Sequence, residues 1–324
     1  MLSRMIIPAT QASEQHWNDR ARALLTLFMG YMISQGKGKT LEDLSRLVSP
    51  SDGSIDTVLA EIHTCGDEDC ENRAARFLAS KGGVGETSKE FSSVLSTLYN
   101  NLDQLCIKRV NQSTRKSSFS LENIADGEYA IYLIPPSKSI EEGAKWLRLM
   151  IMVIMRSIVR KHGAKHHFTF LLDEFASLGY IKEIEIAVQQ YRGYNIFSWI
   201  VLQELSQLQK LYRDTWRVFV GSANVQLFWG IKEAITAEYI SKLSGVTTVS
   251  AGNNSEKSRP LLTPDEVTTY SQKMILAKFD GLPMANLAKL PYHLKAEPGK
   301  PDTWTEFYPD WHSRYPENIP QELK

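Results

Sequence analysis

The sequence predicts an α/β fold in which a parallel β-sheet flanked by helices follows an all-helical module. Up to about residue 112, apolar residues recur at helical spacing without a convincing strand. From Leu121 onward, candidate strands alternate with candidate helices, which is typical of a parallel sheet. The chain of 324 residues is long enough to hold two domains and a sizeable core.

In the helical module, apolar side chains share one helical face in residues 17–32, 41–48, 55–63 and 88–105. Thr40 and Asp43 have the spacing of a capping box, which predicts that a helix begins at Leu41. In the α/β part, we predict strands over residues 129–134, 167–173, 196–203 and 225–229. Helices over residues 142–160, 181–191 and 205–211 separate them.

Two further signals lie near the end of this part. Thr263 combines an N-cap with Pro264 at the first helical position and Glu266 at the capping-box position, which predicts another helix start. Residues 274–279 and 284–292 flank Asp280-Gly281, which predicts an antiparallel hairpin at the edge of the sheet.

Charge and composition argue against a protein that is basic overall and against a disulfide-rich secreted protein. Lys and Arg together number 37, as do Asp and Glu, so a formal net charge of zero gives no general attraction to nucleic acid. A basic cluster (Lys108, Arg109, Arg115 and Lys116) could touch a DNA backbone, but it suits a solvated linker better. Three cysteines fit a reducing cytosol rather than a disulfide framework.

No signal peptide opens the sequence. The longest apolar run, residues 146–159, is interrupted by arginines and falls short of the ~20 residues that a membrane-spanning helix needs. We therefore expect the chain as given to be soluble.

The most informative segment is the apolar run at residues 168–172, which is followed by Asp173 and Glu174. An apolar run of this kind predicts a strand buried on both faces. In P-loop ATPases, two acids at such a strand end form the Walker B motif: the first orients Mg²⁺ and the second polarises the attacking water. The alternative is a strand that simply ends at the solvent, since short motifs arise often by chance.

Two more polar residues lie at the ends of predicted elements, one at the end of a strand and one at the end of a helix. Gln203 ends the strand after the Walker B strand, at the edge where open α/β sheets bind ligands, and could contact a γ-phosphate or the lytic water. Arg192 ends the intervening helix and could reach the nucleotide of a neighbouring subunit as an arginine finger. Taken singly, Gln203 is better explained as a strand-end glutamine that faces solvent, and a cation suits a helix C-terminus such as that of Arg192 regardless of function.

The order of these segments resembles the coupling proteins of type IV secretion, the TraG/TraD family of DNA-pumping ATPases. The resemblance spans about residues 13–293. It rests on the Walker B segment at residues 171–179, Arg192-Gly193, and residues 203–208, 224–228, 236–241 and 261–267, and on residues 16–17 and 90–95 nearer the start. Several segments in the same order are far more specific than any one of them.

The resemblance implies a RecA-like P-loop NTPase fold, with a mostly parallel but incomplete sheet and an inserted all-α domain. Residues 1–12 would be a remnant of the preceding motor segment, 13–115 the all-α domain, 116–294 the RecA-like domain and 295–324 a tail. ATP and Mg²⁺ are the implied cofactors: Asp173 would hold Mg²⁺ through water, Glu174 would serve the lytic water, Gln203 would sense the γ-phosphate, and Arg192 would be the finger.

The same resemblance implies DNA or a relaxase–DNA complex as substrate, type IV secretion channel components as partners, and a homo-hexamer at the cytoplasmic face of the bacterial inner membrane. One loop departs from the family pattern, because Lys232-Glu233 stands where an Asn-Asp pair is common. A role for that loop in the site is therefore not expected.

A phosphate-binding loop of the form G-x-x-x-x-G-K-[ST] is missing. Residues 36–40 end correctly, but they follow a helix and Ile33 stands at the first-glycine position; in residues 82–88, Glu86 stands where lysine must neutralise phosphate. We reject both stretches. The sequence therefore resembles the C-terminal portion of a coupling protein, either a truncated reading frame or an expression fragment, and we expect it to be inactive alone.

Three alternatives complete the sequence interpretation. Another hexameric DNA translocase of the FtsK kind is disfavoured by the Gln203 segment and the helical insertion. A non-catalytic remnant or substrate-binding module would lack turnover altogether. A metal site at His63, Cys65 and Cys70 lacks a fourth ligand and matches no common zinc spacing.

Overall fold

A computed structural model describes residues 2–7, 15–50, 54–80, 88–106, 108–117, 119–135, 140–250 and 256–289. These residues form a mixed α/β fold that is largely helical and contains small sheets. The chain divides into two compact units, Met1–Leu202 and Gln203–Lys324. The predicted tail at residues 295–324 and the glycine-rich stretch at residues 82–87 lie outside the described residues.

The first unit opens with helices that share one apolar core. Leu24, Leu25, Phe28, Leu59 and Leu98 are among its fully buried side chains. The prediction of a helical region without strands is confirmed for the residues described here. The helices are α1 Leu2–Ile6, α2 Gln15–Ser34, α3 Leu41–Val48, α4 Ile55–Ile62, α5 Glu68–Ser80, α6 Lys89–Asp103 and α7 Lys108–Thr114.

The same unit continues with α8 Ile140–Arg160, β1 Phe168–Leu172, α9 Lys182–Gln190 and β2 Ile196–Ile200. Helix α8 packs Leu149 into the helical core. Strands β1 and β2 are parallel, in a register that runs from Phe168 opposite Ile196 to Leu172 opposite Ile200. The parallel pairing and the two predicted helices are therefore confirmed for this part of the chain.

The prediction that β1 is buried on both faces is wrong. Phe170 and Leu172 are buried, whereas Leu171 is 65% exposed and its cross-strand partner Trp199 is 59% exposed. No described element covers this second face, so an apolar sequence does not translate into burial there.

The strand predicted at residues 129–134 does not form; the segment is irregular. Tyr132 is 82% exposed and Ile134 is 80% exposed. Ala125, just before this segment, accepts a 2.7 Å hydrogen bond at its carbonyl oxygen from Lys165 N. A strand requires a hydrogen-bonded neighbour, and within the described residues none pairs with this segment.

The second unit contains two small antiparallel sheets. Strand β3 Val225–Phe228 pairs antiparallel with β6 Met274–Phe279, not in a parallel sheet as predicted, because the hairpin of β6 and β7 Ala285–Ala288 supplies its neighbour. The predicted hairpin is confirmed, although residues 290–292 lie outside the description. The remaining elements are α10 Leu205–Tyr212, α11 Arg217–Ser222, α12 Ala234–Ser244, β4 Val246–Ser250, β5 Glu256–Pro260 and α13 Pro264–Thr268.

Both predicted capping boxes form. Thr40 and Asp43 bond reciprocally at the start of α3, and Thr263 and Glu266 do so at the start of α13.

Candidate functional site

The two predicted Walker B acids lie on a tight turn at the carboxyl end of β1. Asp173 and Glu174 are exposed, and Asp173 Oδ1 accepts a 3.0 Å hydrogen bond from the amide of Glu174. A short 3₁₀ helix, Phe175–Leu178, follows at once, and Phe175 is fully buried. The buried ring anchors the turn, so both carboxylates are presented to solvent at the strand end.

Glu174 adopts a left-handed backbone conformation, with φ 46° and ψ 44°. A residue with a Cβ atom is strained there by roughly 1–2 kcal/mol. Strain of this kind concentrates at functional sites, where the surrounding structure holds it in place. The left-handed residue is thus an independent structural reason to examine Glu174 as a functional group.

The end of β2 runs alongside this turn. Val201 N donates to Leu172 O at 3.0 Å, and Phe175 N donates to Val201 O at 3.1 Å. The acids therefore lie beside the carboxyl end of the neighbouring parallel strand, where ligands of α/β sheets bind. Gln203 follows two residues later as the first residue of the second unit; it is exposed, and its amide donates to Gln207 Oε1 at 3.1 Å.

Arg192 lies on a 3₁₀ turn, Tyr191–Tyr194, between α9 and β2. Its side chain is exposed. Helix α9 connects the 3₁₀ helix that follows Asp173 and Glu174 to the turn that carries Arg192. The structure therefore places the two acids and the arginine in one unit, separated along the chain by the 3₁₀ helix and α9.

Sequence reasoning missed a buried polar network beneath this helix. Glu183 is 5% exposed and accepts a hydrogen bond from the Tyr191 hydroxyl, and Arg156 Nε of α8 lies 2.7 Å from Glu183 Oε1. Arg156 Nε has no well-aligned acceptor, so this contact is an ion pair by distance. Burial, and then the Glu183 carboxylate, raise the pKa of Tyr191, so the phenol remains a hydrogen-bond donor.

A second contact that sequence reasoning missed holds the end of the 3₁₀ helix that follows the acidic turn, the turn formed by Asp173 and Glu174. Arg148 of α8 donates from Nη1 to the carbonyl oxygen of Leu178 at 3.2 Å. Burial lowers the pKa of Arg148. The arginines at 148 and 156 interrupt the apolar run of α8, which is the only sequence signal that either has a partner in the interior.

The acids fit a magnesium site, because exposed carboxylate oxygens are the ligands that Mg²⁺ prefers, either directly or through water. The described residues contain no matching phosphate cradle. At Gly38-Lys39-Thr40, the amides of Lys39 and Thr40 both donate to Asp43 Oδ2 at 3.1 Å, which makes them the N-terminal cap of α3. The rejection of this stretch as a phosphate-binding loop is thus supported by its hydrogen bonds.

Other candidates find structural explanations. Among the described residues no group of three or more His, Cys, Asp or Glu side chains could hold a metal ion, so the site at His63, Cys65 and Cys70 does not form. Arg115 of the basic cluster pairs with Glu42, with Nε 3.0 Å from Oε2. Glu233 caps α12 by accepting from the amides of Ile235 and Thr236.

Comparison with known proteins decides the family. The chain matches, over residues 1–318, the family described as "Type IV secretory system Conjugative DNA transfer". The chain belongs to this family. Its members include conjugative coupling proteins that take part in DNA transfer through type IV secretion.

Individual coupling proteins match at moderate identity. Conjugal transfer protein TraG of Escherichia coli is 26% identical over 303 residues, which cover 82% of this chain and 47% of TraG. Protein VirD4 of Agrobacterium fabrum is 28% identical over 203 residues, which cover 57% of this chain and 30% of VirD4. The chain thus spans about half the length or less of these curated relatives.

Solved structures of the plasmid coupling protein TrwB share the fold. TrwB in complex with a non-hydrolysable GTP analogue has a TM-score of 0.69 at 16% identity, and the match covers 89% of this chain and 66% of TrwB. TrwB in complex with ADP and Mg²⁺ has a TM-score of 0.65 at 14% identity, covering 93% of this chain and 69% of TrwB. In the coupling protein described here, none of the helices in the described ranges has the length and apolar character to cross a bilayer.

Proposed function

We propose that this chain is part of the motor of a type IV secretion coupling protein, which uses ATP hydrolysis to deliver DNA or a nucleoprotein substrate to the secretion channel during conjugation. Family membership over residues 1–318 supports this proposal. The observation that carries it is the turn at the end of β1, where Asp173 is followed by a strained, exposed Glu174.

Each acid has a role that its position supports. Bound ATP–Mg²⁺ supplies the phosphoryl group and the charge that neutralises it. Asp173 would hold Mg²⁺ through a water molecule, and the metal would supply charge that neutralises the phosphates. Glu174 has no hydrogen bond from its carboxylate to the described residues, so it is free to accept a proton from the attacking water.

Arg192 and Gln203 complete the proposed site. The exposed guanidinium of Arg192 serves as an arginine finger toward nucleotide held by a second copy. The exposed side chain of Gln203 would sense the γ-phosphate of bound nucleotide. TrwB in complex with ADP and Mg²⁺ supports the choice of an adenine nucleotide and this metal.

The family also supports the proposed setting. The domain with β1 and β2 belongs to a RecA-like P-loop fold over residues 116–294, and residues 13–115 are its all-α insertion. The complete protein assembles as a homo-hexamer at the cytoplasmic face of the inner membrane and engages relaxase–DNA and the secretion channel. We expect this chain alone to be inactive, because its sequence holds no G-x-x-x-x-G-K-[ST] loop.

Conjugative transfer tests the proposal in the cell. We expect Glu174→Gln, made in the gene that encodes this chain, to lower transfer frequency by about 100-fold or more, the scale expected for loss of a general base. The control is Glu68→Gln, which removes an exposed carboxylate from α5 and should transfer normally. Normal transfer by Glu174→Gln would contradict the motor function and favour a non-catalytic binding module.

A further inference from the structure

The turn that carries Arg192 is fixed at its first end by buried side chains. Tyr191 is 4% exposed, and its hydroxyl donates to Glu183, which in turn pairs with Arg156 of α8. The ring of Tyr194 packs edge-on against that of Tyr191, with centroids 5.8 Å apart. The first end of the turn is therefore tied to α8 through α9.

Backbone bonds fix the second end. Ala164 N donates to Tyr194 O at 2.9 Å, and Asn195 Nδ2 donates to Ala164 O at 2.9 Å. Asn195 itself is left-handed, with φ 58°, and its amide closes the turn by donating to Arg192 O at 3.1 Å. Both ends of a four-residue turn are thus held by neighbouring elements.

The apex of the turn is open. Arg192 and Gly193 are exposed, and a Cβ atom added to Gly193 would meet nothing within 4 Å. Within the described part of the chain, the Arg192 guanidinium makes no hydrogen bond or ion pair. A rigid turn that presents a free guanidinium to open space is preorganised for an anion on another molecule.

A gain in stability is a weak explanation for the buried ion pair of Arg156 and Glu183. Removing a carboxylate such as Glu183 from water is costly, and a buried ion pair adds little net stability compared with apolar packing. Its distinctive property is geometric, because the ion pair and the tyrosine hydrogen bond define one arrangement of α8, α9 and the turn.

We infer that Arg156, Glu183 and Tyr191 are positioning residues that hold the Arg192 turn for contact with a nucleotide phosphate on a second copy. This inference rests on the proposed function. None of the three touches substrate; they act through Arg192. Glu183 lies near the start of α9 and Tyr191 at the start of the turn that follows it, so the network joins both ends of this helix to Arg156 of α8.

A double-mutant cycle on conjugative transfer tests this coupling. Tyr191→Phe removes only the hydroxyl and keeps the ring that packs against Tyr194. We expect a loss of roughly tenfold, the value of one hydrogen bond to a charged group. Arg192→Ala should lose about 100-fold or more. If the tyrosine acts through Arg192, the double variant should transfer no worse than Arg192→Ala.

Each other outcome has one meaning. Multiplicative losses in the double variant, or normal transfer by Tyr191→Phe, would overturn the positioning role and leave the arginine finger standing. Normal transfer by Arg192→Ala would overturn both the finger and its positioning. The motor function itself is decided separately, by Glu174→Gln.

Hydrogen exchange on the purified chain gives a readout that does not depend on activity. Tyr191→Phe and Glu183→Gln should both speed amide exchange in a peptide spanning the turn, where Asn195 N is bonded to Arg192 O, while β1 exchanges as in the wild type. Unchanged exchange in the turn in both variants would overturn the inference. Faster exchange throughout β1 would also overturn it, because the network would then be a general support of the unit.

Discussion

At the scale of single residues, Glu174 combines exposure with backbone strain. Its neighbour Asp173 bonds its amide, and buried Phe175 fixes the chain just beyond it. The surrounding contacts thus hold a conformation that glutamate does not favour by itself. This arrangement predicts a conflict between stability and activity at one position.

Glu174→Gly should stabilise the chain by about 0.5–1 kcal/mol, because glycine accepts a positive φ without strain but loses more entropy on folding. The same variant should abolish conjugative transfer. Urea unfolding measures the first effect. Glu174→Gln, which keeps the strained side chain, is the matched control and should unfold like the wild type. A lower unfolding midpoint for Glu174→Gly would contradict the strain argument.

Sequence reasoning reached Asp173 and Glu174 because an apolar strand that ends in two acids is a local pattern. It could not reach Glu183. Three of the four residues in Lys182-Glu183-Ile184-Glu185 are charged, which is typical of a solvated first helical turn, yet both glutamates are buried. Glu183 pairs with Arg156 of α8, which precedes it by 27 residues, whereas Glu185 pairs with nearby Lys182.

At the scale of elements, α13 shows how a short helix is secured by its first residues. Thr263 and Glu266 form the capping box, and Arg259 Nη2 lies 2.5 Å from Glu266 Oε2. The Arg259 hydrogen bond, followed by the amide of Thr263, lowers the pKa of Glu266 to about 2. A five-residue helix has little else to hold its start.

The pH dependence of stability follows from this pKa. A carboxyl group with a pKa of 4.5 when unfolded and about 2 when folded stabilises the fold above pH 4.5 and loses that contribution as pH falls toward 2. Glu266→Gln should therefore lose part of the wild-type decrease in unfolding midpoint between about pH 5 and about pH 3. Asp265→Asn is the matched control on the same helix. An unaltered acid dependence in Glu266→Gln would contradict the pairing.

Elements were predicted where periodicity is long and local. The spacing of apolar residues located α2, α6 and α8, and capping residues located the starts of α3 and α13. Periodicity failed at residues 129–134, because alternation identifies the faces of a strand but not its hydrogen-bonded neighbour. It also missed β4 and β5, whose connecting residues 251–255 lie outside the described structure.

At the scale of the whole molecule, α8 joins the helical module to the α/β part within the first unit. Lys145 Nζ donates to Asn101 Oδ1 of α6 at 3.0 Å, while Arg148 bonds Leu178 O beside the acidic turn. Burial, and then the charge of Arg148, lower the pKa of Lys145 to about 8. Two desolvated cations of α8, Lys145 and Arg148, thus connect this helix to α6 and to the residues that follow the acidic turn.

This predicts an alkaline dependence of stability. Lys145 has a pKa of 10.5 when unfolded and about 8 when folded, so the unfolded chain binds more protons between these values and stability rises with pH there. Lys145→Met should lose this rise, measured as the urea midpoint at about pH 8 and about pH 10. Lys161→Met, at an exposed position, is the control. A full rise in Lys145→Met would contradict burial of the ammonium group.

The sequence predicted that the chain combines helices with strands, but it predicted only some of the pairings between strands. Alternating strands and helices correctly indicated the parallel pair of β1 and β2. The partner of β3 depended instead on the hairpin near the end of the sequence, which lies about 50 residues away. Choices between distant partners are made by packing across the fold, which a local pattern does not encode.

The exposed apolar face of the β1–β2 pair has a consequence for what the chain can bind. Leu171 and Trp199 present adjoining apolar side chains on a sheet that has two strands within the described residues, and an exposed apolar patch of this kind marks a binding surface. The pair of strands that ends at Asp173 and Glu174 therefore keeps an apolar surface on which another apolar surface can bind.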